Sequence, residues 1–144
     1  MDLDEELMRM AIAQAHLSPP IESAFCVGCV VAKDGRVLAT GFSRELPGNT
    51  HAEECALRKL GMNAEGTDLY TTMEPCSVRL SGNTPCVTHC IAAGVRRVIV
   101  GAMEPSTFVT CKGVALLREH GIQVDLLEGL QEACLAPNRH LKLA

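Results

Sequence analysis

Apolar residues recur at Leu7, Met8, Ala11, Ile12 and Ala15, the spacing of one helix face, in a segment from Asp4 to about Leu17. Asp4 is the expected N-cap, and Ser18-Pro19-Pro20 ends the segment because proline disfavours helical backbone just before it. The next apolar run, Phe25 to Ala32, is too short for a helix of its own. Lys33-Asp34-Gly35-Arg36 then supplies a hairpin turn, and Val37 to Phe42 reads as the second strand. Ser43 to Thr50 is a polar loop holding Pro47 and Gly48. His51 to Leu60 is a run of helix formers with Thr50 as its expected cap and Gly61 as its stop. Asp68 to Met73 is a short strand, broken by Glu74-Pro75-Cys76, and the loop continues to Asn83. Thr84-Pro85 reads as a cap with proline at the first helical position, opening a helix from Cys86 to Ala93 that Gly94 closes. A strand (Arg96 to Gly101), a helix (Gly113 to His120), a strand (Ile122 to Leu127) and a short helix (Leu130 to Leu135) before Pro137 complete the pattern.

The second half thus alternates strand and helix, and right-handed crossovers make its strands parallel. The expected class is α/β, a mixed sheet of about five strands with an N-terminal antiparallel hairpin and helices on both faces in three layers. With 144 residues and 15.4 kDa, residues 1–144 are read as one domain.

Charge narrows the partners. Thirteen basic against 17 acidic residues give −4 at pH 7, which argues against a broad nucleic-acid surface. Aromatics are 3% of the chain, too few for a base-stacking platform. No apolar stretch approaches a membrane span. The start, Met1 to Glu6, is acidic where a secretion signal is basic, so the expected location is intracellular, in the cytoplasm with the nucleus as the alternative. In a reducing compartment the 8 cysteines read as buried thiols and metal ligands rather than a disulfide framework.

Three segments carry chemistry: His51-Ala52-Glu53, Glu74-Pro75-Cys76 and Pro85-Cys86. Each candidate ligand lies at or near a predicted helix start or in the loop before one, and helix starts favour the thiolate that metals need. One imidazole and two thiolates (His51, Cys76, Cys86) suit Zn2+, and three protein ligands leave a tetrahedral position open for water. Zinc brings the pKa of such water toward 7, and Glu53 is the candidate to carry its proton. Cys90, four residues after Cys86, would close the site if it were a ligand; core thiol is the favoured role. Cys26 and Cys29 fall on opposite faces of a strand and read as buried small residues. Cys55 is assigned to helix packing, and Cys111 and Cys134 carry no signal. His16, His89, His120 and His140 read as surface or capping residues, and Arg96-Arg97 as a solvated pair.

These segments resemble the zinc-dependent cytidine deaminase superfamily, whose signature is H-x-E followed by P-C-x-x-C. Here Ser77 to Pro85 separate the two cysteines, a longer insert similar to that of the riboflavin-pathway pyrimidine deaminases. Ser43 to Glu53 (SRELPGNTHAE) and Leu69 to Cys86 (LYTTMEPCSVRLSGNTPC) resemble the fungal branch, and the likeness runs from about Phe25 to Val124. Ala24-Phe25 stands where bacterial members carry Asn-Pro, which leans the same way. The resemblance implies a cytidine deaminase-like fold, zinc on His51, Cys76 and Cys86, and Glu53 as general acid/base. It implies hydrolytic deamination of a small 5′-phosphorylated aminopyrimidine, the diamino-ribitylamino-pyrimidinone of riboflavin biosynthesis or its ribosylamino form. It also implies a homodimer or higher homo-oligomer.

Substrate and phosphate contacts are expected from Ser43, Arg44 and Asn49 before His51, and from Arg79, Ser81 and Asn83 between the two cysteines. Arginine's planar fork suits phosphate, although Arg79 serves equally as a loop-stabilising residue. Two other classes stay open. One is another nucleobase deaminase, acting on tRNA adenosine or on cytidine and deoxycytidylate; acidic charge and the long insert argue against RNA. The other is a non-catalytic binding module that keeps zinc for stability, against which Glu53 speaks, since holding the metal does not require it.

Overall fold

The computed structural model describes residues 2–21, 24–75, 85–103 and 112–141. In chain order the elements are α1 (Leu3–Ala15), β1 (Gly28–Lys33), β2 (Arg36–Phe42), α2 (Ala52–Lys59), β3 (Asp68–Thr71), α3 (Cys86–Ala93), β4 (Arg97–Val100), α4 (Gly113–Glu119), β5 (Gln123–Leu126), α5 (Gln131–Leu135) and a 3-10 helix (Ala136–Leu141). The strands form one sheet in the order β2-β1-β3-β4-β5. β1 runs antiparallel to both β2 and β3, whereas β3, β4 and β5 are parallel, as the alternating second half requires. The hairpin turns at Asp34 and Gly35, both at positive φ, the turn hand that matches strand twist.

The central strands are buried on both faces, so each reads as a continuous apolar run. Alternate residues serve opposite cores. Cys29, Val31, Leu69, Val98 and Val100 face α2, α3 and α4, where Ala52, Ala56, Leu57, Val87, Cys90, Val114 and Leu117 meet them. Val30, Ala32, Tyr70 and Ile99 face α1 and α5 through Leu7, Met8, Ala11, Ile12 and Cys134. The result is the three-layer α/β arrangement. α2 lies very close to β2: a Cβ on Gly41 would sit 2.3 Å from the Ala52 carbonyl oxygen, so only glycine admits the helix there.

Several local expectations shift. The N-cap of α1 is Asp2, whose carboxylate accepts from the Asp4 amide at 3.4 Å. Asp4 is thereby released to bind Arg97 and Tyr70. Thr50 does not cap α2; its hydroxyl donates to the Leu46 carbonyl at 2.7 Å and His51 takes the cap position. Pro85 is the N-cap of α3 rather than its first residue. The last α-helix ends at Leu135, before Pro137, and a 3-10 helix that the sequence did not announce follows it. Arg96 is solvated, with 61% of its side chain exposed, but Arg97 is 19% exposed and bonded to Asp4 and Asp125.

Candidate active site

The site lies beyond the C-terminal end of β3, where α2 and α3 begin side by side. His51 stays extended (φ −94°, ψ 163°) as the N-cap of α2, which turns its side chain off the helix. Pro85 holds the same position before α3 (φ −62°, ψ 149°), a value its ring sets, and Cys86 follows as the first helical residue, fully buried. The two ends meet: His51 Nδ1 lies 3.2 Å from Cys86 Sγ. Ligands of a tetrahedral zinc with bonds of about 2.0 and 2.3 Å would stand about 3.5 Å apart, so this nitrogen–sulfur pair fits that metal. Cys76 lies outside the described residues, and among those no group of three His, Cys, Asp or Glu gathers as a metal site. Two of the three expected ligands are therefore brought together, and the third follows directly on Pro75.

The loop leading to that third position is fixed from below. The Glu74 amide donates to the Ala102 carbonyl at 3.0 Å, and Glu74 Oε2 accepts from the Val114 amide at 3.0 Å at the start of α4. Gly113 makes this approach possible, because a Cβ there would lie 1.9 Å from the Pro75 carbonyl oxygen. Glu74 is thus an anchor between β3 and α4, a carboxylate satisfying an otherwise unpaired amide at a helix start.

Glu53 occupies the first turn of α2, two residues after His51, and is 3% exposed. Its Oε1 accepts from Thr71 Oγ1 at 2.6 Å. Burial pushes the neighbouring Cys29 thiol well above its usual range, and the Glu53 carboxylate pushes it further. Cys29 therefore stays protonated as a core thiol. Cys55 and Cys90 are also buried in this core, and none of the six described cysteines is in a disulfide. Glu54 sits beside the site. Its Oε1 accepts from the His51 amide at 3.3 Å, while its Oε2 binds Arg58 at 2.7 Å and lies 3.9 Å from His89 Nε2 on α3.

The loop before His51 is folded against the connection between α1 and β1. Arg44 (φ 63°) and Asn49 (φ 56°) both take left-handed backbone, which asparagine tolerates and arginine adopts at a cost. The Arg44 guanidinium donates to the Ser18 hydroxyl (2.9 Å), the Pro19 carbonyl (2.7 Å) and the Phe25 carbonyl (3.3 Å). In this arrangement it staples the loop to residues 18–25. The Ser43 hydroxyl accepts from the Val27 amide at 2.9 Å and is likewise engaged with backbone. Asn49 is exposed at the loop's tip. Arg79, Ser81 and Asn83 lie outside the described residues.

Three contributors were not visible as such in the sequence. Thr71 looked like an ordinary strand residue. Glu54 carries a weak signal, since its spacing of three from the cap position and four from Arg58 fits a capping residue and an ion pair. Asn138, fully buried in the 3-10 helix, accepts from the Cys26 amide, donates to the Cys26 carbonyl at 3.1 Å and reaches Met73 Sδ at 3.6 Å. It joins the connection before β1 to the segment after β3.

Comparison with known proteins agrees with this geometry. The chain is 44% identical over 136 residues to the diaminohydroxyphosphoribosylamino-pyrimidine deaminase of Schizosaccharomyces pombe, covering 91% of this chain and 34% of that protein. It spans about a third of the length of such curated relatives. The Aspergillus oryzae Rib2 deaminase, solved in complex with DARIPP as a C-terminal deletion mutant, superposes with a TM-score of 0.81 at 29% identity, covering 98% of this chain and 97% of that one. RibD of Acinetobacter baumannii superposes with a TM-score of 0.83 at 32% identity, covering 96% of this chain and 39% of that one. The family profile described as the cytidine and deoxycytidylate deaminase zinc-binding region matches residues 1–102, and with His51, Glu53 and Cys86 placed as above the chain belongs to that deaminase family, in the riboflavin-biosynthesis likeness of these relatives.

Proposed function

We propose that this chain is a hydrolase that deaminates 5′-phosphorylated 2,5-diamino-6-ribitylamino-4(3H)-pyrimidinone in riboflavin biosynthesis. The observation that carries the reading is the convergence of His51 Nδ1 on Cys86 Sγ at 3.2 Å beside the buried Glu53. The substrate class is supported by the name of the Schizosaccharomyces pombe relative and by the DARIPP complex of the Aspergillus oryzae Rib2 deaminase. The ribosylamino form, which the name of the Schizosaccharomyces pombe relative carries, is the alternative substrate of the same site.

Zinc, held by His51, Cys86 and Cys76, would supply a water that ionises near neutral pH. Glu53 takes the proton of the attacking water, delivers it to the ring nitrogen and assists the departure of ammonia. One C–O bond forms, one C–N bond breaks, and water is consumed without any redox cofactor. We assign the phosphate end to Arg79, Ser81, Asn83 and Asn49. Arg44 we assign to holding the loop, because both its terminal nitrogens donate to Ser18, Pro19 and Phe25.

The test is metal analysis joined to an ammonia-release assay on the ribityl compound, its ribosyl form, cytidine and deoxycytidylate. The expected result is about one zinc per chain with turnover of the ribityl compound. Turnover of cytidine or deoxycytidylate alone, or zinc with no turnover of any of the four, overturns the reading.

A further inference from the structure

We infer that Thr71 is a positioning residue for Glu53, its hydroxyl holding one carboxylate oxygen so that the other is presented for proton transfer. The inference rests on the function proposed above. Thr71 is the last residue of β3 and shares the α2-facing side of the strand with Leu69. Its partners across the sheet are Cys29 on β1 and Val100 on β4. Packing in this apolar row would be served as well by valine, so the hydroxyl calls for a reason of its own.

That reason is on the page. Thr71 Oγ1 lies 2.6 Å from Glu53 Oε1 and 2.9 Å from the Met73 carbonyl oxygen. A threonine hydroxyl has one proton to give. A carboxylate outcompetes a carbonyl for it, because a bond to a charged acceptor is roughly twice as strong. Both side chains are buried, where a carboxylate oxygen without a donor is costly. Among the described residues no other side chain or amide donates to Glu53. The last torsion of a glutamate is broad and nearly two-fold, so covalent structure alone does not fix the plane of its carboxylate. One short bond from a rigid strand does. Because the same oxygen contacts Met73, the orientation of Glu53 is referenced to the segment that leads into Glu74 and Pro75.

The test uses the zinc-loaded protein with Thr71→Val, which keeps the shape and removes the hydroxyl, and Thr71→Ser, which keeps the hydroxyl. For Thr71→Val we expect kcat to fall about ten- to hundredfold with KM within about twofold and zinc content unchanged, the pattern of an interaction needed in the transition state only. Thr71→Ser should return kcat to within about threefold of the parent. A merely structural role would instead move KM, zinc content and thermal midpoint together, with serine no better than valine. Crystal structures of parent and Thr71→Val supply a readout independent of turnover: the Glu53 carboxylate should rotate or split into two orientations in the variant. An unchanged kcat in Thr71→Val, or a carboxylate that keeps its plane, overturns the inference. If the parent fails to turn over the ribityl compound, the functional reading falls, while the crystallographic comparison still decides the role of Thr71.

Discussion

At the scale of single residues, two adjacent glutamates on α2 do different work, and substitution separates them. Glu53 has one oxygen bonded to Thr71 and no tie to the backbone of His51. Glu53→Gln keeps size and hydrogen bonding but cannot take up a proton. It should retain zinc and lose kcat by about 10²- to 10⁴-fold, measured by ammonia release beside metal analysis. A variant with full activity removes Glu53 from the reaction. Glu54, by contrast, accepts from the His51 amide and pairs with Arg58, with His89 of α3 close by. It ties the His51 backbone to the first turns of α2. Glu54→Ala should weaken zinc retention about ten- to hundredfold against a competing chelator, the usual cost of losing an outer partner of a metal ligand. Unaltered retention would restrict Glu54 to capping α2 and pairing with Arg58. The two carboxylates were not equally legible. Glu53 stands in a motif whose chemistry is recognisable from residue type and spacing. The role of Glu54 depends on His51, not Thr50, being the cap, which only the backbone reveals.

At the scale of elements, what is encoded locally was readable and what is encoded across the chain was not. Periodicity, the Asp34-Gly35 turn and Gly94 mark α1, the hairpin and α3 because each signal lies within the element it defines. The 3-10 helix is different. Pro137 reads as a stop and the α-helix does end before it, but the 3-10 helix that follows carries Asn138, whose partner Cys26 lies 112 residues away. Its amide mimics a strand neighbour, accepting from one backbone group and donating to the other of the same residue. Removing it leaves two buried backbone groups unpaired. Asn138→Ala should therefore cost about 2–4 kcal/mol in urea denaturation. Asn138→Asp should cost at least as much, because it buries a carboxylate at a fully enclosed position and sets an oxygen against the Cys26 carbonyl. Equal stability of all three proteins would mean that another contact holds the connection before β1. The same reasoning explains the staple role of Arg44. Its partners Ser18, Pro19 and Phe25 lie 26, 25 and 19 residues away, so sequence offered only its charge, and charge near a motif pointed to phosphate.

At the scale of the whole molecule, one arginine ties the first helix to the parallel part of the sheet. Arg97 donates to both oxygens of Asp4 (3.2 and 2.8 Å) and, through Nε, to Asp125 at 2.6 Å, and the Tyr70 hydroxyl donates to Asp4 at 2.6 Å. No local signal pairs residues 4, 70, 97 and 125; the strand order β1-β3-β4-β5 brings them to one place. The Arg97 bonds hold the Asp4 carboxyl below its ordinary value against the opposing effect of burial, and the separate bond from Arg97 Nε lowers Asp125. Burial first, and then Asp4, holds the Tyr70 phenol far above its usual value, so it remains a donor throughout. Both aspartates are depressed in the folded state, so the unfolded chain binds protons first as pH falls. Their contribution is fully present above the unfolded value of about 3.9 and is lost as pH drops through the lower folded values. Asp125 is 42% exposed and its share is screened by salt, whereas Asp4 is better enclosed and carries more of the effect. Arg97→Met, which keeps the length of the side chain and removes its charge and donors, should be less stable than the parent at pH 6. The gap should then close as pH falls below about 4, because the parent loses what the variant never had. Urea midpoints of the two proteins at a series of pH values between about 7 and 3 read this directly, and a gap that stays constant across that range would show that Arg97 acts through packing of its stem rather than through its charge.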